Sequence, residues 1–263
     1  MQKAIFITGG GSGIGRAIAV RFAREGWRIG LADVNESGLA ATAALLPDGA
    51  DTYVMDVRDR DAWRASLADF TAKSGGRLDV LANNAGIALG GPFAEADFAE
   101  IDRTVAINFM GVINGARIGH AYLKATPGAC LLNTASASAI YGSAGLATYS
   151  ATKFAVRALT EALDGEWHAD GIKVRGLVPG FIDTPLLDPA AAGSNRSIRE
   201  TVVAAGLELS TPDQVADAAW DAVHGDAVFA YVGKTAHRLR FAARWMPGRL
   251  RKMMRQGAVA QTE

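Results

Sequence analysis

Cysteine is nearly absent: the 263 residues hold one, Cys130. A single thiol excludes an internal disulfide and fits a reducing compartment. Net charge is absent as well, with 27 basic residues against 27 acidic, so no global field argues for nucleic acid as a partner. No run of eighteen apolar residues occurs, so no helix is expected to span a membrane. The chain passes from Met1-Gln2-Lys3 straight into Ala4-Ile5-Phe6-Ile7, too short a lead for a signal peptide, and the expected location is the cytoplasm. There is no Gly-x-Ser-x-Gly elbow, and His120, His168, His224 and His237 lack metal-ligand spacing. A hydrolase of that type and a metal site are therefore not expected. What remains is an ordinary globular composition, long enough for one large α/β domain.

Short apolar runs alternate with amphipathic stretches of ten to fifteen residues, the pattern of βαβ units around a parallel sheet. Strands are expected at 4–7, 28–32, 51–55, 78–82, 129–134, 172–178 and 227–232. Helices are expected at 16–25, 36–46, 60–73, from Asp97 onward, from about Ala147, and from Thr211 to Val223. The first strand runs into Thr8-Gly9-Gly10-Gly11-Ser12-Gly13-Ile14-Gly15. A glycine-rich turn between strand and helix lets the backbone approach a pyrophosphate closely, and the helix N-terminus offers it free N–H groups. Further on, Tyr149 and Lys153 stand four residues apart, on one face if the stretch is helical. An ammonium beside a phenol favours the phenolate and lowers a pKa that is otherwise about 10, which suits proton transfer near neutrality.

The spacing Thr8-Gly9-x-x-x-Gly13-x-Gly15, the Tyr149-x-x-x-Lys153 pair and Ser136 thirteen residues upstream resemble the short-chain dehydrogenase/reductase family. The resemblance covers about Lys3 to Val232. It implies a Rossmann-type, doubly wound, seven-stranded parallel sheet flanked by helices, with NAD(H) across the carboxyl ends of the strands. It implies cofactor contacts at Thr8, Gly9, Gly11, Ser12, Gly13, Ile14 and Gly15, and at Asn83, Ala85 and Gly86. Asp56 and Val57 would meet the adenine; Tyr149, Lys153, Pro179, Gly180, Ile182 and Thr184 would surround the nicotinamide riboside. Asp33, with Val34 beside it, closes the second strand. A carboxylate there accepts from both adenosine ribose hydroxyls and repels a 2′-phosphate, so NAD(H) is expected over NADP(H).

By the same resemblance Tyr149 is the acid/base, Lys153 lowers its pKa, Ser136 bonds the substrate oxygen, and Asn108 holds a relay water. Ser138, Ile140, Tyr141, Phe181 and Leu186 would face substrate, and 186–206 would form a lid in which Asn195, Arg196 and Arg199 could meet an anion. The implied activity is interconversion of an alcohol, secondary in type, with its ketone or aldehyde, in a homotetramer or else a dimer. An epimerase or dehydratase on the same apparatus and a catalytically silent NAD(H)-sensing protein are the alternatives. Gly111, Gly115 and Gly119 form a smooth groove for packing within the fold or between subunits.

Residues 1–233 read as the dinucleotide-binding and catalytic domain and 234–263 as a basic extension. From Lys234 onward there are eight basic residues and one acid, Glu263, whereas the preceding residues hold 19 basic and 26 acidic. Leu239, Ala242, Ala243 and Met246 have helical spacing up to the break at Pro247-Gly248. A flap over the substrate pocket or a subunit interface, a helix making weak contact with a membrane surface, and a frayed tail all fit this segment.

Overall fold

The computed structural model describes residues 2–188 and 197–259; Asn195 and Arg196, with the middle of the expected lid, lie outside them. The elements of the first half are β1 (Ala4–Thr8), α1 (Gly13–Ala23), β2 (Arg28–Asp33), α2 (Glu36–Ala43), β3 (Asp51–Val54), α3 (Arg60–Lys73) and β4 (Val80–Asn83). Then follow α4 (Phe98–Val105), α5 (Gly111–Lys124), β5 (Cys130–Thr134), α6 (Ala147–Glu166) and β6 (Lys173–Pro179). The last are β7 (Phe181–Ile182), α7 (Ile198–Ala204), β8 (Leu209–Ser210), α8 (Pro212–His224), β9 (Phe229–Val232), α9 (Gly233–Trp245) and α10 (Pro247–Val259).

Seven strands form one parallel sheet in the order β3-β2-β1-β4-β5-β6-β9. Side chains alternate between its faces. Ile5 and Ile7 of β1 join Ile18 and Phe22 of α1 and Val215 and Ala219 of α8 in one core. Ala4 and Phe6 join Trp63, Leu67 and Phe70 of α3 in the other. Because both faces are covered, the strands read as continuous apolar runs rather than alternating ones. The order reverses between β1 and β4, which opens a crevice at their carboxyl ends.

The structure refines and adds to the expected elements. The helix from Asp97 is not continuous: a π-turn, Ala106–Met110, separates α4 from α5, with the Gly111 N–H bonding the Ala106 carbonyl. The three glycines of α5 serve packing inside the fold. A Cβ at Gly115 would lie 2.2 Å from Asn83 Oδ1, and one at Gly119 would lie 2.3 Å from Leu81. The segment expected to form a lid contains a helix, α7, opened by a capping box in which Ser197 and Glu200 bond each other's backbone N–H. Its base is a two-stranded parallel pair, Phe181↔Leu209 and Ile182↔Ser210. Finally, the basic segment is helical through Val259, and Pro247 opens α10, where its missing N–H has no helical partner to lose. Ala236 and Leu250 anchor this hairpin, at 0% and 1% exposure. Among the described residues no helix is long and apolar enough to cross a membrane.

Candidate active site

The glycine turn is shaped by backbone that a side chain would obstruct. Gly9 and Gly13 take φ of +68° and +51°, and a Cβ on Gly15 would lie 2.1 Å from the Gly9 carbonyl oxygen. Gly11 donates its N–H to Asp33 Oδ2 at 3.0 Å, and Asn35 donates to Oδ1 at 3.0 Å. The end of β2 is thereby clamped against the turn. Arg16 reaches back to the Gly11 carbonyl at 2.5 Å. Ile14 packs on the core, whereas Ser12 caps α1 only through its backbone position and Val34 is exposed. This cradle, at the start of α1 and the reversal of strand order, fits a dinucleotide pyrophosphate.

The Thr8 hydroxyl ties the turn to β4, accepting from the N–H groups of Asn84 (3.0 Å) and Ala85 (3.1 Å). Asn84 answers by donating to the Thr8 carbonyl and accepting from Thr134, so it braces β1 against β5. Asn84 belongs to the stretch 83–86 that the resemblance sets against a cofactor, and its side chain is the one that reaches the glycine turn. The Asn83 side chain points the other way, donating to Asn133 Oδ1 at 3.0 Å and the Val112 carbonyl at 3.3 Å. It holds the central strands and α5 and has no side-chain donor to spare for a cofactor. Asp56 is also engaged: the Arg58 guanidinium and backbone hold its carboxyl below the usual range. An adenine would have to share that carboxylate with Arg58. The Val57 carbonyl accepts from Trp63 and Asn114, which leaves its N–H side as the part available to a base.

Ser136, Tyr149 and Lys153 meet beyond the end of β5. Ser136 opens a short 3₁₀ turn, Ala137–Ala139, and accepts from the Ser138 N–H at 3.2 Å. Lys153, 5% exposed, donates from Nζ to the Thr134 carbonyl at 2.9 Å and lies 5.7 Å from the centre of the Tyr149 ring. Burial pushes the Lys153 ammonium down to about 8. The expected lowering of the tyrosine pKa is not what this arrangement gives: burial raises the phenol, and the adjoining Ser136 hydroxyl pulls the other way. Loss of solvation outweighs the Ser136 hydrogen bond.

Asn108 is fully buried in the π-turn and its amide is closed off, accepting from the Ile87 N–H and donating to the Ile87 carbonyl, both at 2.8 Å. A relay water at Asn108 would therefore rest on its backbone carbonyl in the widened turn. Gly86 lies against this group, where a Cβ would come 3.2 Å from Asn108 Oδ1 and 3.5 Å from Lys153 Nζ.

Pro179 is buried and Gly180 packs against the first turn of α9. Ile182 is in the core, and Thr184 donates its hydroxyl to the Ile182 carbonyl at 3.3 Å. Ser138 is buried, Ile140, Tyr141 and Phe181 are partly buried, and Leu186 is 37% exposed. Arg199 is not free for an anion: it pairs with Asp183 and Asp188 and donates to the Thr184 carbonyl.

The family model for short chain dehydrogenases matches residues 3–195. The chain belongs to the short-chain dehydrogenase family. Levodione reductase of Leifsonia aquatica is 37% identical over 193 residues, 71% of this chain and 72% of that protein. The probable oxidoreductase EphD of Mycobacterium tuberculosis is 32% identical over 265 residues, 95% of this chain but 44% of EphD. The present chain thus spans less than half of that relative. A short chain dehydrogenase/reductase of Burkholderia phymatum, solved in complex with NAD, superposes with a TM-score of 0.82 at 26% identity, covering 96% of this chain and 95% of that one.

In this short-chain dehydrogenase the buried lysine has a cost that can be measured. Its folded pKa of about 8 lies below the 10.5 of a free lysine, so the unfolded chain binds more protons between those values. The destabilisation is full below about pH 8 and fades as pH rises toward 10.5. Lys153→Met is therefore expected to stabilise the ligand-free protein at pH 7 by ~1–2 kcal/mol, after the loss of a donor to Thr134 is set against it. That is roughly 2–6 °C in thermal midpoint, with the gain vanishing at alkaline pH. A lowered midpoint at pH 7 would show that Lys153 holds the fold together instead.

Proposed function

We propose that the chain is an NAD(H)-dependent oxidoreductase interconverting an alcohol, secondary in type, and its ketone or aldehyde. The observation that carries the reading is the meeting of Ser136, Tyr149 and buried Lys153 past β5, beside a glycine turn that would seat a pyrophosphate. Residues 9–15 would hold the pyrophosphate, Asp33 the adenosine ribose, Val57 the adenine edge, and Lys153 the nicotinamide ribose. When bound, the nicotinamide supplies the hydride donor or acceptor.

Every other task falls to the chain. In the oxidation direction Tyr149 Oη takes the proton from the substrate hydroxyl, and in reduction it returns one to the carbonyl oxygen. Ser136 Oγ donates to that oxygen and steadies the charge developing on it, as a donor already fixed by the 3₁₀ turn. Lys153 brings the only buried ammonium near the phenol among the described residues, and its charge favours the phenolate over the phenol. The name of the Leifsonia relative, a levodione reductase, and the NAD in the Burkholderia structure support the same direction. Assembly as a tetramer or dimer and a cytoplasmic location belong to this proposal, as does the division at residue 233.

Asp33 decides the cofactor half of the reading. In the wild type NADH is expected to bind more tightly than NADPH in a fluorescence titration. Asp33→Ala is expected to weaken NADH by tenfold or more, the loss of charge-assisted bonds to both ribose hydroxyls, and to narrow the gap between the two cofactors. Because Asp33 also anchors Gly11 and Asn35, the ratio of the affinities is the readout, not either alone. Equal wild-type affinities would send the carboxylate's role back to the turn itself.

A further inference from the structure

We propose that the α9–α10 hairpin docks the protein on the surface of an anionic lipid bilayer. Alanines and Leu239 turn one face of α9 to the body. The opposite face carries Phe241 and Trp245, four residues apart and therefore adjacent, at 59% and 67% exposure. Arg238 and Arg244 flank them, and the Arg244 guanidinium lies 5.6 Å from the Trp245 ring centre. On α10, Met253 is 54% exposed between Lys252 and Met254.

Lys234 pairs with Glu208 and Arg240 stacks on Tyr231. Arg238, Arg244, Arg249, Arg251, Lys252 and Arg255 have no carboxylate partner among the described residues. Exposed aromatic rings among unpaired cations suit the headgroup region, where Trp sits by preference and each basic residue gains from anionic lipid.

A second feature lies alongside. An open groove of about 550 Å³ lies between α10 and the first turns of α6, with Tyr141, expected to face substrate, along one side. Its walls are apolar, with Phe154, Ala151 and Met254, and two guanidinium groups, Arg251 and Arg255, border it. Apolar walls with cations at the rim match a molecule that is both greasy and anionic.

A second copy of the chain fits less well. Across a two-fold axis the hairpin would face itself, placing like charges together, and charged residues are depleted from the centres of such interfaces. Nucleic acid would be served by the cations alone but gives Met253 and the apolar groove no partner.

The test is sedimentation of the whole protein with vesicles of phosphatidylcholine, with and without phosphatidylglycerol. Retention on the anionic vesicles is expected to exceed that on pure phosphatidylcholine at least tenfold and to fall with added salt. Arg238→Gln should weaken it roughly fivefold. Phe241→Ser with Trp245→Ser should weaken it more than tenfold without moving the thermal midpoint, since both residues are exposed. None of these readouts needs turnover or cofactor, so they stand or fall apart from the oxidoreductase reading. Equal retention on both vesicle types overturns the proposal. So does full binding by the double variant, which would mark a polyanion surface that single-stranded DNA would also occupy. A halved mass of the double variant in light scattering, with no vesicle binding by the wild type, would assign the face to a second copy.

Discussion

Phenylalanine at position 149 is expected to lower the rate of NADH formation from secondary alcohols by about 10³-fold, within the range that positioned acid–base groups contribute. The phenol oxygen is the only thing removed. The ring keeps its place on α6, and among the described residues its hydroxyl is bonded by Ser136, so folding and NADH affinity should survive. Measured on a panel of secondary alcohols with NAD, a residual rate above one tenth of the wild type would remove Tyr149 from the chemistry. Loss of NADH binding together with activity would instead mean that the phenol acts in assembling the cofactor site. No activity in the wild type, with NADH bound and unaffected by the substitution, would favour the cofactor-sensing alternative. The pH profile adds an independent check. Burial raises the phenol in the ligand-free protein, so a wild-type oxidation rate that climbs with pH is expected, and Tyr149→Phe should flatten the climb.

Gly15→Ala carries the largest expected structural effect. One methyl group would sit 2.1 Å from the Gly9 carbonyl oxygen and 2.8 Å from Asn84 Nδ2, and neither is the free end of a flexible side chain. Asn84 is held by Thr8 and Thr134, so the turn must move instead. The expected cost is ~3 kcal/mol of stability, at the upper end for overpacking a fixed site, together with a loss of NADH affinity of at least a hundredfold. Gly142→Ala is the control: nothing lies within 4 Å of its added carbon and its φ is not positive, so its midpoint should not shift by more than experimental error. Equal behaviour of the two variants in thermal unfolding and NADH titration would show that the turn yields freely.

The sheet was legible in the sequence because burial on both faces writes each strand as an apolar run, and because glycine turns and capped helices punctuate them. Boundaries moved slightly, β4 starting at Val80 rather than Leu78, although the Asp79 backbone already bonds Ala4 and Cys130 on either side. What escaped lacked a periodic signal. Two-residue strands such as β7 and β8 have no alternation to detect, and the π-turn carries Asn108 to Ile87, twenty-one residues away. The helix α7 was legible and overlooked, since Ser197-x-x-Glu200 is a capping-box pattern. Among site residues, motif spacing singled out Ser136, Tyr149 and Lys153, which the fold brings together. Spacing could not say which way an amide faces. The resemblance gave Asn83 two tasks, at the cofactor and across the central strands, and its side chain is spent on the second; Asn84 joined the glycine turn, and Arg199 was already paired with two nearby acids.

The short pairing of Phe181–Ile182 with Leu209–Ser210 has an evolutionary consequence. The segment between those pairs leaves and re-enters the molecule at adjacent points, both pinned by backbone bonds that depend little on side-chain identity. Its length and composition can therefore drift as a cassette, since closing a longer loop on a fixed base costs only about 0.6 kcal/mol per doubling. A lineage could lengthen or rewrite this segment while inheriting the sheet and the glycine turn unchanged.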